Sequence, residues 1–364
     1  MLSKVNDGLA CCVPEGRYTK ALLRQADSSL ISCEEIMATY ELLGVGNALV
    51  DVLCNVDDSF LHEHGLVKGS MQLVDESEAN NLVSTMSTSH RASGGSCANS
   101  MAGFASLGGR GAFIGKLKND SAGKAFQADM KMLGCSFAAV PSEQGLPTGM
   151  CLVFVTPDAQ RTMCTHLGTA ALLAPDDLNE TVISGSKIIY MEGYLFDQPV
   201  AQEAMVRAAG VANRAGGKVA LTLSDSFCVE RHRDAFVELI ESNTDILFAN
   251  EDEFKSLYQV ENLEQAVQLS RGKCDVICVT RGERGAVIIS DSETIEVKSE
   301  AVERLIDTTG AGDQFAAGFL FGLCKDKDLT ASARIGAIAA AEVIGHYGAR
   351  PEKDLAELVA GRLG

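Results

Sequence analysis

Near the C-terminus, the run Asp307-Thr308-Thr309-Gly310-Ala311-Gly312-Asp313 places a carboxylate beside a double-glycine turn. The residues that follow, Phe315, Ala316, Phe319, Leu320 and Leu323, are spaced like one face of an apolar helix. The first backbone N–H groups of a helix have no internal partner and carry about half a positive charge, so an anion is stabilised there. Gly310 and Gly312 lack the Cβ that would keep a ligand away from those amides. Such a turn can hold a phosphate, or the charge that develops on a phosphoryl group in transfer. An acid beside it is useful when a hydroxyl must lose its proton, which is what a phosphoryl acceptor requires. The alternative is an ordinary helix start with a glycine turn and a capping acid.

Other polar residues stand where strands end. Asp51 lies among Leu49, Val50, Val52 and Leu53, where a carboxylate is costly unless bonded. The vicinal hydroxyls of a sugar would satisfy it, and so would an edge strand that turns it to solvent. Ser93-Gly94-Gly95-Ser96-Cys97-Ala98-Asn99 again opens an apolar helix through two glycines, with the Asn99 amide one turn in. That run could equally serve a tight helix–sheet contact. Asn250 and Glu253 follow the strand Ile246-Leu247-Phe248 at a spacing of three. A carboxylate there could order the waters of Mg²⁺, or the pair could simply cap a helix. Thr280-Arg281-Gly282 ends the next strand, where a nucleotide phosphate or ribose could rest.

These residues need a frame, and the chain provides an α/β rhythm. Near-continuous apolar strands are expected at 187–191, 218–223, 245–248, 276–280 and 286–289. Amphipathic helices are expected at 201–214, 234–241, 251–258, 263–270, 311–323 and 329–344. The pattern implies a mostly parallel sheet covered on both faces. The apolar run from Tyr40 to Val52, broken by Gly46 and Asn47, suggests a buried strand whose end presents polar side chains at one rim of a sheet. Gly149–Thr156 and Arg161–His166 read as a hairpin on Pro157-Asp158-Ala159-Gln160, a small sheet set off from the main layer. In a phosphoryl-transfer enzyme such an insert is a lid that keeps water from the donor.

Composition narrows the partners. A chain of 364 residues, 46% hydrophobic, can bury a large core, and its net charge of −18 argues against nucleic-acid or anionic-membrane partners. No apolar run approaches the roughly 20 residues of a membrane span. The 12 cysteines are scattered through apolar stretches without a Cys-x-x-Cys pair, as expected of buried reduced thiols in a cytoplasmic protein. Residues 1–38 carry mixed charge and weak periodicity, and Asp7, Glu15, Asp27, Glu34 and Glu35 count against a targeting peptide. Neither a Gly-x-x-x-x-Gly-Lys-Ser/Thr nor a Gly-x-Gly-x-x-Gly run occurs, which disfavours Walker-type and Rossmann-type nucleotide sites.

Taken together, these segments resemble the PfkB, or ribokinase-like, family of sugar and nucleoside kinases. Its two hallmark segments match Gly94-Gly95 with Asn99 through Leu107-Gly108, and Asp307 to Asp313, and its Asn-x-x-Glu element matches Asn250 and Glu253. The resemblance implies a three-layer α/β/α sandwich with a mostly parallel central sheet and a small β-sheet lid. It further implies a kinase domain over residues 39–364, lid elements around 52–75 and 136–167, and an N-terminal extension over 1–38. The activity implied is transfer of the ATP γ-phosphoryl group to a primary hydroxyl. By the same resemblance Asp313 is the base, and the amides of Gly310, Ala311 and Gly312 form the anion hole. Asn47, Asp51, Gly94, Gly95 and Asn99 would hold the acceptor. Asn250, Thr280, Gly282 and Thr308 would line the ATP site, and Glu253 would hold Mg²⁺ through water. Family members often bind a monovalent cation such as K⁺ near the anion hole; Gly348-Ala349 matches part of that loop, but Glu352 stands where some members have Ser.

Within the family, Gly44 to Asp51 followed by Val56-Asp57-Asp58-Ser59-Phe60-Leu61 is similar to the adenosine kinases, as are Gly94-Gly95-Ser96 with Asn99-Ser100 and Asp245 to Glu251. Leu49 lies where a nucleoside would want an apolar wall for its base. The leading expectation is adenosine phosphorylation. A ribokinase- or fructokinase-like sugar kinase is the alternative, and a catalytically silent binding protein the third reading. The lid could pair with a second subunit or close alone, giving a monomer or a homodimer.

Overall fold

The computed structural model describes residues 40–86, 90–158 and 160–363; the expected arm at residues 1–38 lies outside the described residues. The strands are β1 Tyr40–Val45, β2 Leu49–Asn55, β3 Met71–Leu73, β4 His90–Gly94, β5 Gly111–Ile114, β6 Ser136–Phe137, β7 Thr148–Val155, β8 Arg161–Gly168, β9 Ser186–Glu192, β10 Lys218–Thr222, β11 Ile246–Asn250, β12 Val276–Thr280, β13 Ala286–Ser290 and β14 Thr294–Val297. Nine of them form one sheet in the order β14-β13-β12-β11-β10-β9-β1-β5-β6. Pairing is parallel from β6 through β12, and antiparallel only at β12–β13 and β13–β14.

Successive side chains of a strand point to opposite faces, and here each face meets its own helical layer. Leu43, Val45, Ile189, Met191, Val219, Leu221, Leu247 and Ile277 pack on the helices Pro199–Arg214, Ser226–Asn243 and Glu251–Tyr258. Leu42, Phe113, Ile188, Tyr190, Phe248 and Cys278 pack on the helices Ser96–Ser106, Ala311–Cys324 and Leu329–Val343. The expected three-layer α/β arrangement is therefore present. All nine cysteines among the described residues are buried. Among those residues, no helix is long and apolar enough to cross a membrane.

The other five strands form a second sheet in the order β3-β8-β7-β2-β4. Its outer face, with Val52, Cys54, Leu152, Phe154 and Cys164, is covered by Leu61, Ala79 and Leu82 from the short helices Asp58–Glu63 and Glu76–Thr85. Its inner face carries Leu49, Asp51, Cys151, Val153, Arg161, Met163 and Thr165 toward a cavity.

One sequence expectation is corrected here. Tyr40 to Val52 is not a single strand: β1 belongs to the nine-stranded sheet and β2 to the five-stranded one. The chain crosses between them at Gly46-Asn47-Ala48, where a Cβ on Gly46 would come within 2.6 Å of Cys97 and of the Glu192 carboxylate. Gly46 and Asn47 mark the break in the sequence, but the change of sheet there, packed against the distant Glu192, is not marked.

Candidate active site

At the crossover, Glu192 ends β9 and is 1% exposed. Its Oε1 accepts from Asn47 Nδ2 at 2.8 Å and more weakly from Asn47 N at 3.4 Å, while Oε2 accepts from Cys97 N at 2.9 Å. Burial pushes this carboxyl up to about 7 despite those donors. Glu192 thus joins β1, β2 and the helix Ser96–Ser106 at one point. Sequence reasoning missed it, although an acid closing the apolar strand Lys187 to Met191 was the available signal.

Asp51 leaves β2 toward the same space. A Cβ on Gly94 would lie 2.0–2.2 Å from its carboxylate atoms, so the glycine is what lets the acid fit beside β4. Burial pushes Asp51 up to about 6, against the pull of Arg350 and Arg161.

Asp313 is the third residue of the helix Ala311–Cys324. Ser96 Oγ donates to its Oδ1 at 2.6 Å and Asn99 Nδ2 to its Oδ2 at 3.2 Å. Burial pushes it up to about 6, with both donors pulling the other way. Gly310 caps this helix at φ 75°, with no side-chain cap, and a Cβ there would strike Ala349 at 2.6 Å. A Cβ on Gly312 would meet no protein atom within 4 Å, so the space before its amide is open.

The amides at this turn differ in one detail from the expected anion hole. Ala311 N turns back onto Thr308 O at 3.3 Å, closing the turn. The first helical bond is Gln314 N to Gly310 O, at 2.8 Å, which leaves the Gly310, Gly312 and Asp313 amides without a protein acceptor among the described residues. Asp307 braces the turn, accepting from Thr309 N at 3.0 Å, Gly348 N at 2.9 Å and the Arg161 guanidinium of β8.

Asn47, Leu49, Asp51, Gly95, Ser96, Asn99, Arg161, Glu192, Gly310 and Asp313 all border one cavity of about 230 Å³. Its far wall is apolar: Met71, Leu73, Val153, Met163 and Leu167. A second cavity of about 690 Å³ adjoins it across Asp51, Asn99 and Arg161, and is bounded by Tyr347 to Glu352.

The residues expected to hold ATP line neither cavity, although Thr308 adjoins Thr309 and Gly310 of the first. Asn250 and Thr280 are register partners at the C-terminal ends of β11 and β12. Gly282 and Thr308 are both exposed. Asn250 is an N-cap whose Oδ1 accepts from Asp252 N and Glu253 N, both at 2.9 Å. Glu253 folds back onto Asn250 N at 2.9 Å and Nδ2 at 2.6 Å. Burial pushes Glu253 up to about 7, and Asp225, Asp252 and Asp313 add repulsion. A buried carboxylate under that repulsion fits a nearby cation. With both oxygens already accepting from Asn250, it fits a hydrated Mg²⁺ better than a directly ligated one.

The description "pfkB family carbohydrate kinase" matches residues 65–355 of this chain. The chain belongs to the pfkB family. It is accordingly a kinase, a phosphotransferase acting on a hydroxyl acceptor with ATP as co-substrate and typically Mg²⁺. A probable sugar kinase from Rhizobium etli is 39% identical with a TM-score of 0.86, covering 90% of this chain and 99% of its own. An adenosine kinase from Sinorhizobium meliloti is 43% identical with a TM-score of 0.85 and the same coverage, 90% and 99%. A 5-dehydro-2-deoxygluconokinase from Bacillus licheniformis is 24% identical over 263 residues, 70% of this chain and 81% of that protein. The names of these three proteins point to different acceptors.

Proposed function

We propose that this kinase transfers the γ-phosphoryl group of ATP to the primary hydroxyl of a nucleoside, adenosine, giving AMP and ADP. The two-sided cavity carries this reading. Asp51, Asn47 and Asn99 offer a polar end suited to ribose hydroxyls, while Leu49, Met71, Leu73, Val153, Met163 and Leu167 offer an apolar slot suited to a flat base. A free pentose or hexose has no group that needs such a wall. The likeness to the Sinorhizobium meliloti enzyme points the same way.

In this reading Asp313 accepts the proton of the attacking hydroxyl, held in line by Ser96 and Asn99. The open amides of Gly310, Gly312 and Asp313 receive the charge on the transferring group. Glu253 and Asn250 would hold the water shell of Mg²⁺, which would supply neutralisation of the phosphate charge. Thr280, Gly282 and Thr308 border the nucleotide. The five-stranded sheet acts as the lid, and Arg161 at the start of β8 joins it to the anion-hole loop through Asp307. The lid's outer face is covered by the chain's own helices, which supports closure within one subunit.

ADP release with adenosine, other nucleosides, ribose and fructose tests the acceptor. Adenosine should give the highest kcat/KM, and absence of turnover with adenosine would remove this reading. The second reading, a sugar kinase, is favoured by the likeness to the Rhizobium etli protein and would show as preference for ribose or fructose.

A further inference from the structure

Arg350 lies in the loop after the helix Leu329–Val343 and borders the larger cavity together with Asp51, Asn99 and Arg161. Burial holds its pKa below the usual guanidinium value. Its attraction to Asp51 and Asp129 acts across space, and among the described residues it makes no ion pair. Its Nη2 is buried without a partner. A guanidinium kept in such a place is costly, and salt bridging does not explain it. Among the described residues its one hydrogen bond is Nε donating to Asn99 Oδ1 at 3.3 Å. The loop itself is held firmly: Gln314 Nε2 donates to both Ala349 O and Asn99 O at 2.9 Å.

The Asn99 amide has one donating and one accepting end, and in isolation could turn either toward Asp313. A guanidinium only donates and an ionised carboxylate only accepts. With Arg350 on one side, Oδ1 must face the arginine and Nδ2 must face the acid. We infer that Arg350 is a positioning residue, fixing the Asn99 amide in the one orientation that donates to Asp313. The inference rests on Asp313 being the base. If Arg350 is removed, the amide can make a half-turn and present Oδ1, which only a protonated Asp313 can use. The surroundings favour that protonated state. Asp51 on β2, Glu192 on β9 and Glu253 on the helix Glu251–Tyr258 all repel a charge on Asp313. Tyr190 on β9 and Cys97 on the helix Ser96–Ser106 face it as neutral groups, pushed well above their usual values by burial. On the donating side stand Ser96 and Asn99.

The test is the pH profile of kcat in full-length protein carrying Arg350→Met, Arg350→Lys or Arg350→Gln, with Asp313→Asn as the reference for the base. Arg350→Met should move the acid limb up by roughly one pH unit, with KM for ATP unchanged and kcat largely recovered at alkaline pH. Arg350→Lys, which also only donates, should restore the limb. In an Asn99→Ala background, Arg350→Met should produce no further shift, because there is no amide left to orient. An unmoved limb in Arg350→Met, or an equal shift without Asn99, overturns the inference. Should Arg350→Met fail to fold, Arg350→Gln replaces it, since glutamine can also accept and so does not enforce one amide orientation; equal limbs for Gln and Lys would then overturn it. Substantial turnover in Asp313→Asn would instead remove the base reading, a separate failure.

Discussion

Two helices of this kinase begin alike and end up in opposite uses. Glu253 and Asp313 each occupy the third position of a helix that starts at the rim of the main sheet. At Asn250 the start is closed: the N-cap side chain takes the amides of Asp252 and Glu253, and the long Glu253 side chain bends back onto its own cap. At Gly310 the start is open, with no cap side chain to occupy its amides. Asp313, one methylene shorter, reaches outward to Ser96 and Asn99 of another helix instead. The N-cap residue thus decides whether a helix N-terminus satisfies itself or waits for a ligand. Substitutions at the open start should therefore lower turnover, and those at the closed start should lower stability.

The largest effect is expected at Asp313. Asp313→Asn keeps the size of the side chain but cannot accept the proton, so kcat should fall by about 10²–10⁴-fold while ATP still binds. Turnover within tenfold of the parent would break the contrast at its centre. Gly312→Ala sharpens it. The added methyl meets no protein atom within 4 Å, so melting temperature should hold while kcat/KM for ATP drops about tenfold or more, because the methyl stands where the phosphoryl group must approach. A stable variant with unchanged ATP kinetics would show that the open amides are not the phosphoryl site.

What could be read from the sequence follows the same division between local and distant causes. The glycine turn before Phe315, the capping pair Asn250 and Glu253, and the alternation of apolar strands with amphipathic helices are written within a few consecutive residues. They place the layers and both helix starts. The break at Gly46-Asn47 and the second sheet's β3 and β4 depend on partners far along the chain, and periodicity does not encode them. Glu192 is 145 residues from Asn47, Arg161 is 146 from Asp307, and Arg350 is 251 from Asn99. A long-range polar contact leaves at most an odd charge in an apolar run, as Glu192 does after Met191. Ala311 shows the converse limit: its amide closes the turn onto Thr308, a geometry that residue types alone did not reveal.

Glu192 tests whether the open start depends on the crossover behind it. In Glu192→Gln one oxygen becomes a donor, so either Cys97 N or the Asn47 amide loses its acceptor in a buried place. An unsatisfied buried group costs about 1–3 kcal/mol, so melting temperature should fall. KM for the acceptor should rise severalfold as Asn47 is released, with kcat less affected. Equal acceptor KM in parent and variant would mean that Asn47 does not hold substrate.

The closed start should yield the smallest effects, and they chiefly concern stability. Asn250→Ala removes the cap, worth about 1 kcal/mol, and should lower melting temperature by a few degrees and raise the Mg²⁺ needed for half-maximal rate, with a smaller loss of kcat at saturating Mg²⁺ than Asp313→Asn shows. The pH dependence of the parent extends this. Glu192 and Glu253 titrate at about 7 and Asp51 and Asp313 at about 6 when folded, against about 4 in an unfolded chain. Between those values the folded chain holds protons that the unfolded chain has released, so unfolding free energy falls as pH rises. Free of ligands, the protein should melt higher at pH 5.5 than at pH 7.5, while kcat runs the other way because Asp313 works only when ionised. Removing the cap donor Asn250 Nδ2 leaves the ionised Glu253 less supported, so Asn250→Ala should lose more stability at pH 7.5 than at pH 5.5. If the loss were equal at both, Glu253 would owe its ionisation to groups outside its own helix, and the contrast between the two starts would rest on the N-cap residue alone.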